Sequence, residues 1–217
     1  MVASLELNLR QPIRDLFLAT WEVDSEQVES HLPDGFRPII AGGRALVSVG
    51  CFRNRFARLG ALPVPPYDEI DLRTFVVDGA GATAVFVFDF FVPVLGLAAS
   101  PFGVPVRVAR ISVARGRVNA PGIGVSAAYT VGQRAELDDS EAALSPHPSA
   151  YWLKHKRLRK MIGGYHGVTW KHAELTGKAQ LAPAARLGID RRPDFALYAE
   201  TAELRASLPA RTQTGNR

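Results

Sequence analysis

The chain has 217 residues, long enough for one domain that buries roughly 70% of the surface its unfolded chain exposes. A hydrophobic fraction of 47% and a charged fraction of 22% exclude the disordered and fibrous classes. The single cysteine, Cys51, excludes an internal disulfide and a thiolate-rich zinc site, and the net charge of +5 is small enough to be a solvated basic face.

Residues 1–15 lack the basic and apolar regions of an export signal, and no apolar run reaches the roughly 20 residues that cross a bilayer. A cytoplasmic location without a membrane partner is therefore expected. Residues 1–208 read as one domain, with 209–217 as a polar, disordered tail.

Residues 16–23 alternate as a strand, and Asp24 with Gln27 has the spacing of a capping box before a short helix that carries Val28 and Leu32. Pro33, Asp34 and Gly35 end it. Residues 36–41 and 45–52 form a hairpin around Gly42 and Gly43, and 59–66 is a proline-rich loop. The central pair is 67–77 and 82–92, joined by a turn over 78–81. The second strand of that pair is apolar on both faces, as in a strand covered by two layers or closed into a barrel.

Further along, 93–100 reads as a short helix, 104–115 as a long strand, and 123–131, 165–175 and 195–204 as strands. Residues 149–162 read as the one substantial helix, with Tyr151, His155, Leu158 and Ile162 at helical spacing. A further helical turn is expected over 184–187. Many strands, few helices and no βαβ alternation give a mainly β (β-rich α+β) fold, with an antiparallel cone- or barrel-like sheet and flanking helices.

Motifs for phosphate loops, dinucleotide sites and nucleophile elbows are absent. His166 and His172 share a strand face with Trp170 and Glu174, but six strand positions span about 20 Å, too far for one ion. No metal and no cofactor are expected. Cys51 reads as a small buried apolar residue. The basic run 154–160 lacks the interleaved aromatics of a nucleic-acid platform, so nucleic acid is not the expected partner.

What remains is a polar stripe. Tyr67, Glu69, Asp71 and Arg73 alternate with apolar Ile70, Leu72, Thr74 and Val76. A turn of two or four residues sets Glu69, Asp71 and Arg73 beside Phe90, Phe88 and Phe86, whereas a three-residue turn brings Asp89 to that face. A carboxyl group among aromatic rings favours its neutral form, which makes Glu69 the best proton-transfer candidate. The competing reading is a solvent-facing stripe in which Glu69 and Arg73 neutralise each other.

The order Thr20-Trp21-Glu22-Val23, Leu32-Pro33-Asp34-Gly35, Tyr67-Asp68-Glu69, Arg73-Thr74-Phe75-Val76 and Phe102-Gly103-Val104-Pro105 resembles the acetoacetate decarboxylase-like superfamily, closest to a functionally uncharacterised branch of it. The resemblance runs from about Phe17 to Val113 and fades to a register around Trp170 and Tyr198. It implies a cone-like antiparallel sheet, an apolar cavity and a homo-oligomer, a dimer or higher. In the decarboxylases two lysines follow the glycine-x-proline turn, and the first forms a Schiff base with the substrate. Val106 and Arg107 stand at those positions here, and an arginine stays protonated and cannot replace the amine.

These features together give a pocket for a carbonyl- or carboxylate-bearing small molecule. Glu69, Arg107 and Arg110 are the candidate catalytic residues, and Tyr67, Arg73, Phe86, Phe88, Phe90 and Val106 the candidate substrate contacts. The expected chemistry is cofactor-independent acid/base work without an imine. A non-catalytic binding or assembly module is the alternative, and a weak nucleic-acid binder acting through 154–160 the third.

Overall fold

The computed structural model describes residues 9–59, 62–94, 104–144, 147–208 and 210–211. Strand β1 (Leu9–Val23) leads to helix α1 (Ser25–Glu29), β2 (Arg37–Pro38), β3 (Ile40–Ala41), β4 (Arg44–Asn54), β5 (Ala57–Leu59), β6 (Leu62–Val64), β7 (Tyr67–Val77) and β8 (Thr83–Val92). Then come β9 (Val106–Val108), β10 (Ser112–Ala114), β11 (Arg117–Ala120), β12 (Val125–Arg134), helix α2 (Asp139–Ala142) and β13 (Ser149–Lys154). The last strands are β14 (Arg157–His166), β15 (Lys171–Leu181), β16 (Phe195–Ala206) and β17 (Ala210–Arg211).

The longest strands close a ring. β1 pairs with β4, β4 with β7 and β7 with β8; β8 pairs with β13, β13 with β14, β14 with β16, and β16 returns to β1. The β8–β13 contact is parallel, as is β8–β9; the rest of the ring is antiparallel. Gly163 makes the β14–β16 seam possible: its φ is +145°, and a Cβ there would overlap the backbone of Arg205 and Ala206.

Outside the ring, β10, β11, β12 and β15 form a second layer joined to it through β15 and β16. Strand alternation splits each ring strand between two environments. The outward residues Phe17, Trp21, Val49 and Leu72 pack with Val113, Val118 and Tyr129 of the outer layer. Phe17 stacks on Tyr129 with centroids 4.2 Å apart, and the Trp21 indole donates to the Arg191 carbonyl at 2.8 Å. The inward residues include Leu16, Leu18, Phe52, Phe75 and Leu197. Strands apolar on both faces are thus the consequence of a ring with a layer outside it.

Several expectations are corrected. Residues 149–162 are not a helix but the β13–β14 hairpin, with six cross-strand partner pairs from Ser149↔Ile162 to Lys154↔Arg157. Its turn uses His155 and Lys156, both at positive φ. Helical propensity of the lysines and arginines gives way to the tertiary pairing with β8 and β16. The loop over 59–66 contains strand residues of β5 and β6. The strand over 104–115 is two short strands, β9 and β10, and His166 ends β14 while His172 lies in β15, so the 165–175 strand does not exist. Asp24 N-caps α1 without a side-chain cap bond and pairs with Arg44 instead. The expected helix over 93–100 lies outside the described residues from 95 onward, as does the expected tail from 212 onward and at 209; residues 210–211 pair with β14 as β17.

Candidate active site

The inner wall of the ring is set by the β7–β8 turn. Asp78 N–H donates to the Ala82 carbonyl at 2.9 Å, and the Asp78 carboxylate accepts from Ala80 and Ala82 N–H at 2.9 and 3.0 Å. This is the three-residue turn, and it places Arg73 opposite Val87. A bulge at Phe88 then shifts the register, so Leu72 faces Asp89 and Asp71 faces Phe90. The bulge returns Asp89 to the outer face and leaves Val85, Val87, Phe90 and Val92 beside the polar stripe.

The stripe is buried: Glu69 is 8%, Asp71 2% and Arg73 4% exposed. Arg73 Nε donates to Asp71 Oδ1 at 2.6 Å, and Arg73 Nη2 donates to the other carboxylate oxygen, giving a two-pronged pair. Nη2 also reaches the Tyr165 hydroxyl at 3.4 Å. Burial pushes the Tyr165 hydroxyl up to about 12. The pair fits only because β4 carries Gly50 opposite Asp71. A Cβ there would lie 2.6 Å from Arg73 Nη2 and 2.8 Å from Asp71 Oδ1.

Glu69 has a different setting. Its Oε2 accepts from Asn54 Nδ2 at 3.0 Å, and Asn54 Oδ1 in turn accepts from Gln11 Nε2. Burial, and then the Asp71 charge, raise the Glu69 carboxyl to about 8, with Asn54, Arg73 and Tyr67 opposing the rise. At neutral pH it therefore keeps its proton. Tyr67 is held well above its ordinary value by burial and by the adjacent Glu69.

A cavity of about 150 Å³ runs along this wall, lined chiefly by apolar side chains and the polar stripe. A cavity of about that volume holds a molecule the size of benzene. Of the candidates named from the sequence, Tyr67, Glu69, Arg73, Phe90 and Val106 line it. Phe86 and Phe88 do not: Phe86 pairs with Thr74 on the outward face and packs with Phe36 and Tyr151, and Phe88 is the bulge residue. Parallel pairing of Phe90 with Val106 sends Val106 inward and Arg107 outward. The Arg107 side chain is 62% exposed and pairs with Asp89 at 3.1 Å. Arg110 is exposed, because the chain leaves the strand after Val108 and strand alternation no longer places it. Among the described residues lining the cavity there is no lysine.

Sequence reasoning missed Gln11, Asn54, Trp152, Tyr165 and His147 as cavity or site groups. His147 lines the cavity beside Phe75, with ring centroids 5.4 Å apart, and its Nε2 lies 2.8 Å from the Ala143 carbonyl. A carbonyl only accepts, so Nε2 carries the hydrogen. Burial lowers its pKa and favours the neutral ring. A signal for it existed: Asp138 and Glu141 form a true capping box that starts α2, and α2 delivers the Ala143 carbonyl.

The family DUF2071, described as an uncharacterized conserved protein, matches residues 10–203. No curated protein matches the chain. Among solved structures, an acetoacetate decarboxylase-like enzyme from Sphingomonas wittichii RW1 is similar at a TM-score of 0.64 and 15% identity, over 96% of this chain and 94% of its own. Acetoacetate decarboxylase from Legionella pneumophila follows at 0.62 and 16%, over 98% and 92%. The enduracididine biosynthesis enzyme MppR complexed with pyruvate gives 0.58 and 13%, over 97% and 92%. At such identities the likeness is one of fold, and it is the mainly β, acetoacetate decarboxylase-like fold that the sequence resemblance implied.

Proposed function

The chain belongs to the DUF2071 family, and from that premise we propose that it is a cofactor-independent enzyme acting on a small carbonyl- or carboxylate-bearing metabolite. The observation that carries this reading is Glu69, a carboxyl group on the inner wall of an apolar cavity that burial raises to about 8. A neutral carboxylic acid in such a place donates a hydrogen bond, and then a proton, to a substrate carbonyl oxygen. The Asp71–Arg73 pair keeps a polar, preorganised wall beside it without adding net charge.

Decarboxylation of a 3-oxo acid fits this single acid. The bond from the α-carbon to the carboxylate breaks, carbon dioxide leaves, and the electron pair moves into the enol whose oxygen takes the Glu69 proton. Ketonisation returns the enol proton to the Glu69 carboxylate while the α-carbon takes a proton from water, the one proton that the reaction consumes. Enolisation, cyclisation and dehydration use the same donor. An imine step is not part of the reading, because Val106 lines the cavity where relatives of the decarboxylase type place their reactive amine. Arg107 and Arg110, both exposed, have no part in the proposal. The fold neighbours include an enzyme captured with pyruvate, which supports oxo acids as the first compounds to try. A homo-oligomer in the cytoplasm is the assembly proposed with it, read by light scattering.

The test is turnover of acetoacetate, oxaloacetate and pyruvate, followed by carbon dioxide release and by deuterium uptake from solvent. Wild type should turn over at least one, with activity falling as pH rises through about 8, and Glu69→Gln should lose it. Unchanged turnover in Glu69→Gln, or a borohydride-trapped adduct on a lysine, would overturn the reading.

A further inference from the structure

The β13–β14 hairpin contributes one face to the cavity. Ala150, Met161 and Trp152 share it, since Ala150 pairs with Met161 and all three line the cavity. Trp152 pairs with Arg159, so Arg159 lies on that same face two residues before Met161, half-buried just beyond the residues that line the cavity. The opposite face of the hairpin carries Tyr151 and Lys160, and there the cation is provided for. Lys160 lies 3.8 Å from Asp78 and 4.9 Å from the Tyr151 ring centre.

Arg159 Nε has no such provision. Among the described residues, Arg159 Nε is the one buried side-chain nitrogen or oxygen without a hydrogen-bond partner. Buried polar groups are satisfied in the great majority of cases, and an orphan is explained by strain, by water or by a ligand that is part of its function. The hairpin puts this orphan beside cavity-lining Trp152, on a guanidinium whose Nε edge matches the two oxygens of a carboxylate. Phe90 meets Trp152 edge to face at 5.6 Å and lies opposite Asp71, so Phe90 links Trp152 to the polar stripe.

We propose that Arg159 is the carboxylate-binding residue of the cavity, taking the anionic end of a small oxo acid whose carbonyl group reaches toward Glu69. This deepens the reading above and rests on it for the role of Glu69, but not for the binding of the anion. A carboxylate entering beside Trp152, with a turn of the Arg159 side-chain torsions, gives Nε its missing acceptor. The cavity volume of about 150 Å³ limits such a ligand to about six to ten non-hydrogen atoms. The acid is therefore short, with no room for a nucleotide or an acyl carrier.

The experiment titrates pyruvate, pyruvamide and inorganic phosphate into the full chain by calorimetry, for wild type, Arg159→Gln, Arg159→Lys and Glu69→Gln. Thermal melts establish that each variant is folded. Pyruvate should bind wild type, Arg159→Gln should weaken it on the order of 30-fold, and Arg159→Lys, which keeps the charge but not the fork, should fall between. Pyruvamide should bind equally weakly to all. Glu69→Gln should keep the preference for pyruvate over its amide; if that holds while turnover is absent from wild type, only the catalytic reading falls. Equal affinity of wild type and Arg159→Gln for pyruvate, no binding of pyruvate to wild type, or an Arg159-dependent preference for phosphate would each overturn the assignment.

Discussion

The two faces of β7 are buried about equally and are made of opposite materials. Ile70, Leu72 and Val76 face out of the ring and are 0% exposed, while Glu69, Asp71 and Arg73 face in and are 8%, 2% and 4% exposed. The outward face follows the ordinary rule that burial favours apolar side chains, at roughly 25 cal/mol for each Å² removed from water. The inward face breaks that rule with three ionisable groups, and each break costs desolvation free energy. A fold that needed only stability would have no reason to carry them, because a buried ion pair is often replaceable by apolar groups without loss. The difference separates what holds the ring together from what the ring holds in place.

The largest expected effect breaks the inner face. Arg73→Met leaves the Asp71 carboxylate buried without its partner, and chemical denaturation should show a loss of about 3–5 kcal/mol; the double variant Asp71→Leu/Arg73→Met should recover most of it. A loss under about 1 kcal/mol would mean that Asp71 is not buried as an ion. On the outward face, Leu72→Ala should cost about 3 kcal/mol by opening a cavity against the outer layer, with ligand binding unchanged in the folded fraction. Gly50→Ala sharpens the comparison, since the new Cβ meets the Asp71–Arg73 pair at 2.6 and 2.8 Å. It should cost about 1–3 kcal/mol and shift the Tyr165 titration, whereas a silent Gly50→Ala would mean the pair is free to move.

The last effect has the opposite sign. The folded state holds the Glu69 carboxyl at about 8 against an ordinary value of 4.5. A group raised in this way leaves stability whole below the unfolded value and draws it down as pH climbs from about 4.5 to 8. Glu69→Gln removes that drain. Its melting temperature should match wild type near pH 4 and exceed it by a margin that grows as pH rises to 8. Melting curves that stay parallel across that range would show that Glu69 ionises as freely in the fold as outside it.

Much of this division was legible in the chain itself. Period-two alternation from Tyr67 to Val76 separates the two faces of β7 without any tertiary information. The position of Val106 and Arg107 after a glycine-x-proline sequence was equally readable, and Val106 lines the cavity. What was not legible depended on partners distant in sequence. The three-residue turn sets Phe86 on the outer face, the bulge at Phe88 moves Asp89 there, and nothing local announces the bulge. The β13–β14 hairpin turns on His155 and Lys156 at φ of 51° and 62°, without the glycine or asparagine that usually marks such a turn. Its Lys- and Arg-rich strands therefore resemble a helix until β8 and β16 pair with them.

The account stands on a proton held by Glu69 inside the ring at neutral pH. Carboxyl-carbon NMR of glutamate-labelled protein, assigned by comparison with Glu69→Gln and titrated from pH 4 to 10, reads that proton directly. The account predicts a midpoint near 8 for Glu69. A midpoint near 4.5, the value of an ordinary glutamate, would contradict it.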